Sequence, residues 1–281
     1  MSKICLVIVT YNRVDVLLKN LDYVYSQTIL PNKIVVVDNA STDDTVKIIK
    51  QKHPDINLIE MQDNLGFASG LAAGMKANVN EDFDYFWLMD DDSFPPATFL
   101  EQQLSIIPKA CGILGSLGFI HHYFNQTEIN RGEMQEVDFV LVDCALVAME
   151  AVRKVGFPDG NLFMMCEDLD YCKRIKKSGY TIICLPFKGI NRLHLGSSKS
   201  SKSLVWRSYY HSRNHLIILK KNFTFKYLCF YISMQSKFII ATLVRFDFVK
   251  TYLRIRGIID GLRNRLGKTL DPKTLKFKYF L

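Results

Sequence analysis

The chain has 281 residues, of which 48% are hydrophobic and 23% charged, and this composition excludes an intrinsically disordered protein. The formal net charge of +8 is divided unevenly: residues 1–198 contain 18 Lys and Arg against 25 Asp and Glu, whereas residues 199–281 contain 18 against 3. Such a basic C-terminal segment is typical of proteins that contact an anionic surface, either nucleic acid or acidic lipid.

The first ninety residues alternate between strand and helix patterns. Apolar runs predict strands at 4–9, 33–39, 56–60 and 84–90, of which the first two are rich in β-branched residues. The first run is too short for the hydrophobic core of a secretory signal. The segments between the strands predict helices at 13–27, 41–52 and 64–77, with Ser41 as a candidate cap of the second. This order predicts an α/β fold with a mostly parallel sheet and helices on both faces.

The remaining globular part continues this pattern. Segments 112–120 and 137–156 predict further strands and a helix, 162–180 predicts a helix that begins acidic and ends basic, and 181–186 predicts a strand. A helix is also predicted at 206–221. The region 227–259 is aromatic and aliphatic but interrupted by basic residues, which predicts interfacial helices rather than a membrane-spanning one. We therefore predict a domain at 1–220 and a basic helical segment at 221–281.

The cysteines are scattered singly and form no C-x-x-C pair, which favours reduced thiols in a cytosolic compartment. The seven positions are Cys5, Cys111, Cys144, Cys166, Cys172, Cys184 and Cys229.

Three consecutive acids, Asp90, Asp91 and Asp92, end the apolar run 84–90 and precede a double proline. They could form an Asp-rich surface turn, or a site for a hard cation such as Mg²⁺ or Mn²⁺. Because the preceding run predicts a central strand, the acids should lie in a crevice, where an uncompensated cluster would be unstable. This favours the cation site.

Polar residues also follow the first and second predicted strands, at 10–12 and 38–39, and ligands of open α/β sheets bind beyond such carboxyl ends. The glycines of 64–74 allow close helix packing or the approach of a diphosphate. Glu167 and Asp168 are either acids favoured by the helix dipole or include a general base. His194 is either an ordinary loop histidine or a metal ligand.

Together these motifs resemble the family 2 glycosyltransferases. The order is V-T-Y-N-R at the first strand, D-N-x-S-x-D at the second, then N-x-G-x-x-x-G, D-D-D, E-D and H-L-G. The resemblance extends over roughly residues 1–220 and implies the GT-A fold. The tracts N-L-G-F-A-S-G and W-L-M-D-D-D-S-F-P-P are similar to the rhamnosyl- and galactofuranosyl-transferase-like branch, which acts in bacterial surface-polysaccharide synthesis.

The resemblance implies a divalent cation, Mn²⁺ or Mg²⁺, that bridges the donor diphosphate. Asp92 would be a direct ligand, Asp90 a ligand or a ribose contact, and His194 would complete the shell. Asp168, beside Glu167, would be the base that deprotonates the acceptor hydroxyl. The implied donor site comprises Thr10, Tyr11, Arg13, Asp38, Asn39, Asn64, Gly66, Asp90 and Asp91. The implied acceptor or diphosphate contacts are Trp206, Arg207, Tyr210 and Arg213.

The implied reaction is inverting transfer of rhamnose, galactofuranose or another hexose from a UDP- or dTDP-linked donor to a polyprenyl-diphosphate-linked or glycan acceptor. The basic C-terminal segment would hold the enzyme at the cytoplasmic face of the cell membrane, or would form a homo-oligomer. A catalytically silent sugar-nucleotide-binding or membrane scaffold protein is the alternative. Nucleotidyltransferases and dinucleotide oxidoreductases would require a Gly-rich loop after the first strand, which is absent. Nucleic-acid binding would leave the acidic crevice unexplained.

Overall fold

A computed structural model describes residues 2–129, 132–187, 191–192 and 204–279. The strands in these ranges are β1 Ile4–Thr10, β2 Lys33–Asp38, β3 Asn57–Glu60, β4 Tyr85–Asp90, β5 Ser93–Phe94, β6 Cys111–Gly115, β7 Gly118–His121, β8 Gln126–Ile129, β9 Gln135–Glu136, β10 Phe139–Val140, β11 Ala145–Ala148, β12 Thr181–Cys184 and β13 Asn191–Arg192. The helices are α1 Val14–Tyr25, α2 Thr45–Lys52, α3 Phe67–Asn78, α4 Phe99–Ser105, α5 Met149–Val155, α6 Glu167–Lys177, α7 Trp206–Lys221, α8 Phe225–Val244 and α9 Phe248–Leu262.

The central sheet has eight strands in the order β3-β2-β1-β4-β11-β6-β12-β9. Strands β1 to β4 pair in parallel, whereas β11 runs antiparallel to both of its neighbours. The register places Thr10 beside Asp38 and Val9 beside Asp90, so the carboxyl ends of three strands meet at one edge. The prediction of a mostly parallel sheet is confirmed.

Both faces of the sheet are covered, which is why all seven residues of β1 are buried. Alternate β1 side chains enter different cores: Val7 and Val9 belong to the core that includes α3, and Leu6 to the core that includes α1. At Gly70 and Gly74 an added Cβ would lie 2.6 and 2.5 Å from Cγ1 of Val9 and Val7, respectively. These two glycines therefore serve close packing of α3 on β1.

The C-terminal helices pack on the same core. Helix α7 is buried along most of its length, and the first turns of α8 contribute Tyr227, Phe230 and Tyr231 to the core formed with the sheet. Helix α9 crosses α7 so closely that a Cβ on Gly257 would lie 2.4 Å from the Tyr209 carbonyl oxygen. The division predicted at residue 220 thus falls between helices that share one buried core.

Helix α8 has 20 residues and, within the described ranges, is long and apolar enough to cross a membrane, with 22% of its most apolar window buried. Sequence alone predicted no span here, because the longest uncharged run ends before Lys237. Many apolar side chains of α8, α9 and the turn between them are exposed, and the following set is here called the C-terminal apolar patch: Ile232, Phe238, Ile240, Leu243, Val244, Phe246, Phe248, Val249, Tyr252 and Ile255.

Candidate active site

A cleft of about 560 Å³ lies at the carboxyl edge of β1, β2 and β4. The loop before α6 and the start of α7 form its other wall. Twelve residues proposed from the sequence line it: Thr10, Tyr11, Arg13, Asn39, Asn64, Asp90, Asp91, Asp92, Glu167, Asp168, Trp206 and Arg207. The acids at the end of β4 and the acids at the start of α6 therefore share one cavity, although they are far apart in the sequence.

The three aspartates after β4 have different environments. Asp91 is buried, and its two carboxylate oxygens accept hydrogen bonds from the Thr10 hydroxyl at 2.8 Å and from the Arg13 guanidinium at 3.0 Å. Burial raises the pKa of Asp91 even though Arg13 lowers it. Arg13 also lies 3.8 Å from Asp92. All three aspartates line the cleft, and Asp91 also connects the end of β4 to the end of β1 through its bond to Thr10.

The loop after β2 is fixed by side-chain hydrogen bonds to backbone groups. One oxygen of buried Asp38 accepts the Ser41 amide at 2.9 Å, and the other, Oδ1, is buried with no hydrogen-bond partner among the described residues. Asn39 accepts the Leu65 amide at 3.1 Å, which joins this loop to the one before α3. The Ser41 hydroxyl accepts the Asn12 amide, and α2 begins only at residue 45, so the predicted cap at Ser41 is wrong.

Gly66, in the turn before α3, packs against Phe163, which lines the cleft. Its φ is +89°, and a Cβ at this position would lie only 1.9 Å from the Phe163 carbonyl oxygen. The Asn64 side chain accepts the Gly66 amide at 3.1 Å and stabilises the turn. Gly66 therefore sets the spacing between the turn before α3 and the loop before α6. Neither Gly66 nor Asp38 is itself among the lining residues.

Glu167 and Asp168 begin α6 and face the cleft. Burial raises the pKa of Asp168 to about 6. Burial also raises the pKa of Glu167 to about 8, with the Asp168 charge as the next cause. Asp168 accepts the Leu169 amide at 2.7 Å, whereas Glu167 Oε2 is buried with no partner in the described ranges. Two carboxyl groups with separated pKa values are typical of sites that hold and move protons.

The loop that leads into this pair has an unusual backbone. Phe163, Met165 and Cys166 all have positive φ, at 65°, 72° and 67°, which is unfavourable for residues with a Cβ. Asn214 of α7 stabilises the loop, because its amide donates to the carbonyls of residues 162, 164 and 165 at 3.0, 2.9 and 2.7 Å. No motif in the sequence indicated this function for Asn214.

Two residues predicted on the acceptor side lie elsewhere. Arg213 is fully buried and donates to the Gly267 carbonyl at 2.8 Å and the Thr269 hydroxyl at 2.7 Å. The Tyr210 hydroxyl donates to the Leu270 carbonyl at 2.7 Å. Neither side chain lines the cleft, so the prediction of direct contact is corrected for both: they attach the C-terminal turn to α7.

Three further residues were predicted from the sequence: Trp206, Arg207 and His194. Trp206 and Arg207 line the cleft, with the Arg207 guanidinium 5.6 Å from the Trp206 ring centre. His194 lies outside the described residues. Sequence reasoning missed further lining residues because they belong to no recognisable motif: Asp143, Phe163, Met164, Met165, Leu204 and Pro272.

The C-terminal turn reaches the part of the cleft that contains Tyr11. Pro272 lines the cavity, and the Lys273 ammonium lies 5.8 Å from the centre of the Tyr11 ring. Only tertiary packing brings these residues to Tyr11, since they lie more than 250 positions apart.

A family model described as glycosyl transferase family 2 matches residues 5–155, which is more than half of the chain. The chain therefore belongs to glycosyl transferase family 2 and is a transferase enzyme. Galactofuranosyltransferase GlfT1 of Mycolicibacterium smegmatis is 27% identical over 207 residues, 66% of this chain and 67% of the relative. The dTDP-rhamnosyl transferase RfbF of Shigella flexneri is 24% identical in an alignment of 296 positions, gaps included, that covers 95% of this chain and 97% of the relative.

A solved structure supports the fold. The mannosyltransferase PcManGT of Pyrobaculum calidifontis, solved with GDP-Man and Mn²⁺, superimposes with a TM-score of 0.62 at 15% identity, over 94% of this chain and 88% of that one. The predictions of the family and branch, of a GT-A fold and of an enzyme are confirmed.

Proposed function

We propose that this enzyme transfers a hexose, such as galactofuranose or rhamnose, from a nucleoside-diphosphate donor to an acceptor hydroxyl with inversion at the anomeric carbon. One observation carries the proposal: a single cleft contains both the acids at the end of β4 and the buried acid pair at the start of α6. The first set suits a cation and a diphosphate, and the second suits proton removal from a hydroxyl.

The donor nucleotide would occupy the edge formed by β1 and β2. Asp38 Oδ1 is a buried acceptor with no described partner, and an imino N–H of uracil or thymine is the kind of donor that it lacks. Asp38 itself lies behind the lining, but the adjacent Asn39 lines the cleft together with Tyr11. A UDP- or dTDP-linked sugar is therefore our proposed donor class, in keeping with the dTDP-rhamnosyl transferase relative.

Asp90 and Asp92 would hold a divalent cation. The fit rests on the donor set: both residues line the cleft and offer carboxylate oxygens, which Mg²⁺ and Mn²⁺ prefer. When bound, such a cation supplies positive charge that stabilises the departing diphosphate. His194 remains a predicted additional ligand.

Asp168 would accept the proton of the acceptor hydroxyl. Burial raises the pKa of both carboxyl groups, and the Asp168 charge raises the pKa of Glu167 further, so we assign the ionised form at neutral pH to Asp168. As the hydroxyl proton passes to the Asp168 carboxylate, the oxygen forms a bond to the anomeric carbon, and the bond from that carbon to the diphosphate breaks on the opposite face. Inversion follows from this in-line geometry.

We further propose that the C-terminal apolar patch rests on the cytoplasmic face of an anionic membrane, where a polyprenyl-diphosphate-linked or other glycan acceptor would be presented. Supporting this, Phe246 and Phe248 are 78% and 65% exposed, and the segment 199–281 contains 18 basic residues. Each basic residue near such a surface contributes about 1 kcal/mol of attraction.

Vesicle sedimentation tests the membrane proposal. The full chain should bind phosphatidylglycerol vesicles more than phosphatidylcholine vesicles, and a Phe246→Ser, Phe248→Ser variant should bind less. Leu30→Ser, which alters an exposed apolar side chain outside the patch, serves as the matched control. If the double variant binds phosphatidylglycerol vesicles as strongly as the wild type does, the patch serves oligomerisation or another partner.

Calorimetry with UDP, dTDP and GDP and their sugar derivatives, with and without Mn²⁺, tests the transferase. We expect metal-dependent binding of one series, lost in Asp92→Ala and kept in the exposed-acid control Asp63→Ala. Asp168→Asn should bind the donor but transfer about 10²–10⁴-fold more slowly. No binding across all series would favour the silent scaffold alternative.

A further inference from the structure

A second cavity, of about 390 Å³, lies on the other side of the loop before α6. It is enclosed by the β7–β8 hairpin and by α7 and α8, and Asp168 borders both cavities. Three of its other lining residues are Cys166, His211 and His215. The proposed sugar transfer uses none of these three side chains.

The three side chains converge on one point. One potential ligand atom from each lies within 4.8 Å of the other two. His211 and His215 are four residues apart on α7 and therefore share a face of that helix. Cys166 immediately precedes α6, and its positive φ of 67° belongs to the strained loop described above.

The histidine environments suit ligation. His215 Nδ1 lies 2.7 Å from the Tyr227 hydroxyl, and a proton donated from Nδ1 to that oxygen leaves the Nε2 lone pair available. Metal-ligating histidines commonly make such a bond through their second nitrogen. His211 Nδ1 is buried with no hydrogen-bond partner among the described residues. A buried nitrogen without a partner, on a histidine of this cluster, is an observation independent of the cluster geometry that points to a missing ligand.

We propose that Cys166, His211 and His215 form a site for Zn²⁺ or a similar borderline divalent ion, separate from the Asp90 and Asp92 site. Sulfur and nitrogen ligands select such ions, whereas the carboxylates in the first cleft select Mg²⁺ or Mn²⁺. Zn–N bonds of about 2.0–2.1 Å and Zn–S bonds of about 2.3 Å require the ligand atoms to approach one another by roughly an ångström. On binding, Cys166 would release its thiol proton to solvent, and the cavity leaves the fourth position open.

The location of the site indicates a structural role. Cys166 directly precedes Glu167, so an ion bound to it would join the strained loop to α7 at a second point besides Asn214. The site would therefore hold the acid pair in position and not act on the sugar.

Cobalt substitution tests the proposal on the full chain. After chelator treatment and dialysis, titration with Co²⁺ should give visible bands of a tetrahedral ion and a thiolate-to-cobalt charge-transfer band that saturates at one equivalent. Zn²⁺ should abolish these bands. Cys166→Ser should remove the charge-transfer band, and His211→Gln should weaken Co²⁺ binding at least tenfold. Cys172→Ser, a buried thiol of α6 itself, should leave the spectrum unchanged.

Asp92→Ala separates this site from the donor site, because its charge-transfer band should persist while Mn²⁺-dependent nucleotide binding is lost. Absence of the band in folded wild-type protein at saturating Co²⁺ would overturn the proposal, as would its persistence in Cys166→Ser. If Cys166→Ser does not fold, thermal unfolding decides: Zn²⁺ should raise the Tm of the wild type and not that of His211→Gln.

Discussion

The Asn214 side chain donates a hydrogen bond of 2.7 Å to the Met165 carbonyl, three residues before Asp168. Helix α7 thereby fixes a backbone segment whose positive φ values would otherwise be unfavourable. The acid pair begins α6 directly after that segment, so the position of its carboxylates depends on an amide group that never contacts the cleft.

We predict that Asn214→Ala lowers kcat by about 10²-fold while donor affinity is kept, because a displacement of about 1 Å at the reacting centre has that effect. Unfolding free energy should fall by about 1–3 kcal/mol, as buried carbonyls lose their donor. Asn214→Asp, which has the same shape but no N–H, should be at least as damaging. Asn222→Ala, at the C-terminal end of α7, is the control. A wild-type kcat in Asn214→Asp would disprove the positioning role.

Gly66→Ala should distinguish steric contact from backbone strain. The new Cβ would overlap the Phe163 carbonyl oxygen, so the loop must move and both donor binding and transfer should be lost. Gly179→Ala is the matched control, because Gly179 also has a positive φ, of +98°, but nothing lies within 4 Å of an added Cβ. The control should lose about 1–2 kcal/mol of stability and keep its activity. Similar effects of both variants would show that strain alone matters at Gly66.

The sequence correctly predicted that polar residues after β1, β2 and β4 meet at one cleft, because each group directly follows its own strand. Each β-branched run ends in its own polar residues, and the parallel register then places Thr10 beside Asp38 without further information. The wall formed by α7 was predicted less well. Arg213 follows Trp206 and Arg207 in a basic, aromatic helix, and only the packing of α9 and the C-terminal turn determines that its face is buried. Residues such as Asn214 act on backbone carbonyls, which leave no signature in a sequence.

A double-mutant cycle measures how Arg13 and Asp91 interact. Arg13→Met leaves the buried Asp91 carboxylate with the Thr10 hydroxyl as its remaining described donor, and unfolding free energy should fall by about 1–3 kcal/mol. The loss should be smaller than for a fully buried pair, because the Arg13 side chain is 34% exposed. In the Asp91→Asn background the same change should have little effect. Additive effects, within about 0.5 kcal/mol, would mean that the pair contributes nothing.

Asp260 should be essential for the stability of the C-terminal helices. Its buried carboxylate accepts hydrogen bonds from Tyr209 at 2.7 Å, Arg256 at 3.2 Å and Arg265 at 2.9 Å. Asp260→Asn removes the charge that balances the buried Arg256 guanidinium, and unfolding free energy should fall by about 3–5 kcal/mol in denaturant titrations. Asp82→Asn, which breaks an exposed ion pair, should unfold like the wild type. A wild-type midpoint for Asp260→Asn would show that the arginines find other partners.

The pKa of Asp168 should be visible in both activity and stability. If Asp168 is the base, kcat/KM should fall about tenfold per pH unit below about pH 6, where the carboxylate becomes protonated. Because burial raises this pKa from 3.8, the folded state binds a proton between pH 3.8 and about 6 that the unfolded state has released. Unfolding free energy therefore falls as pH rises through this window, and Asp168→Asn should lack that contribution. If kcat/KM instead falls only near pH 4, and the wild type and Asp168→Asn have the same dependence of stability on pH, the base is another residue.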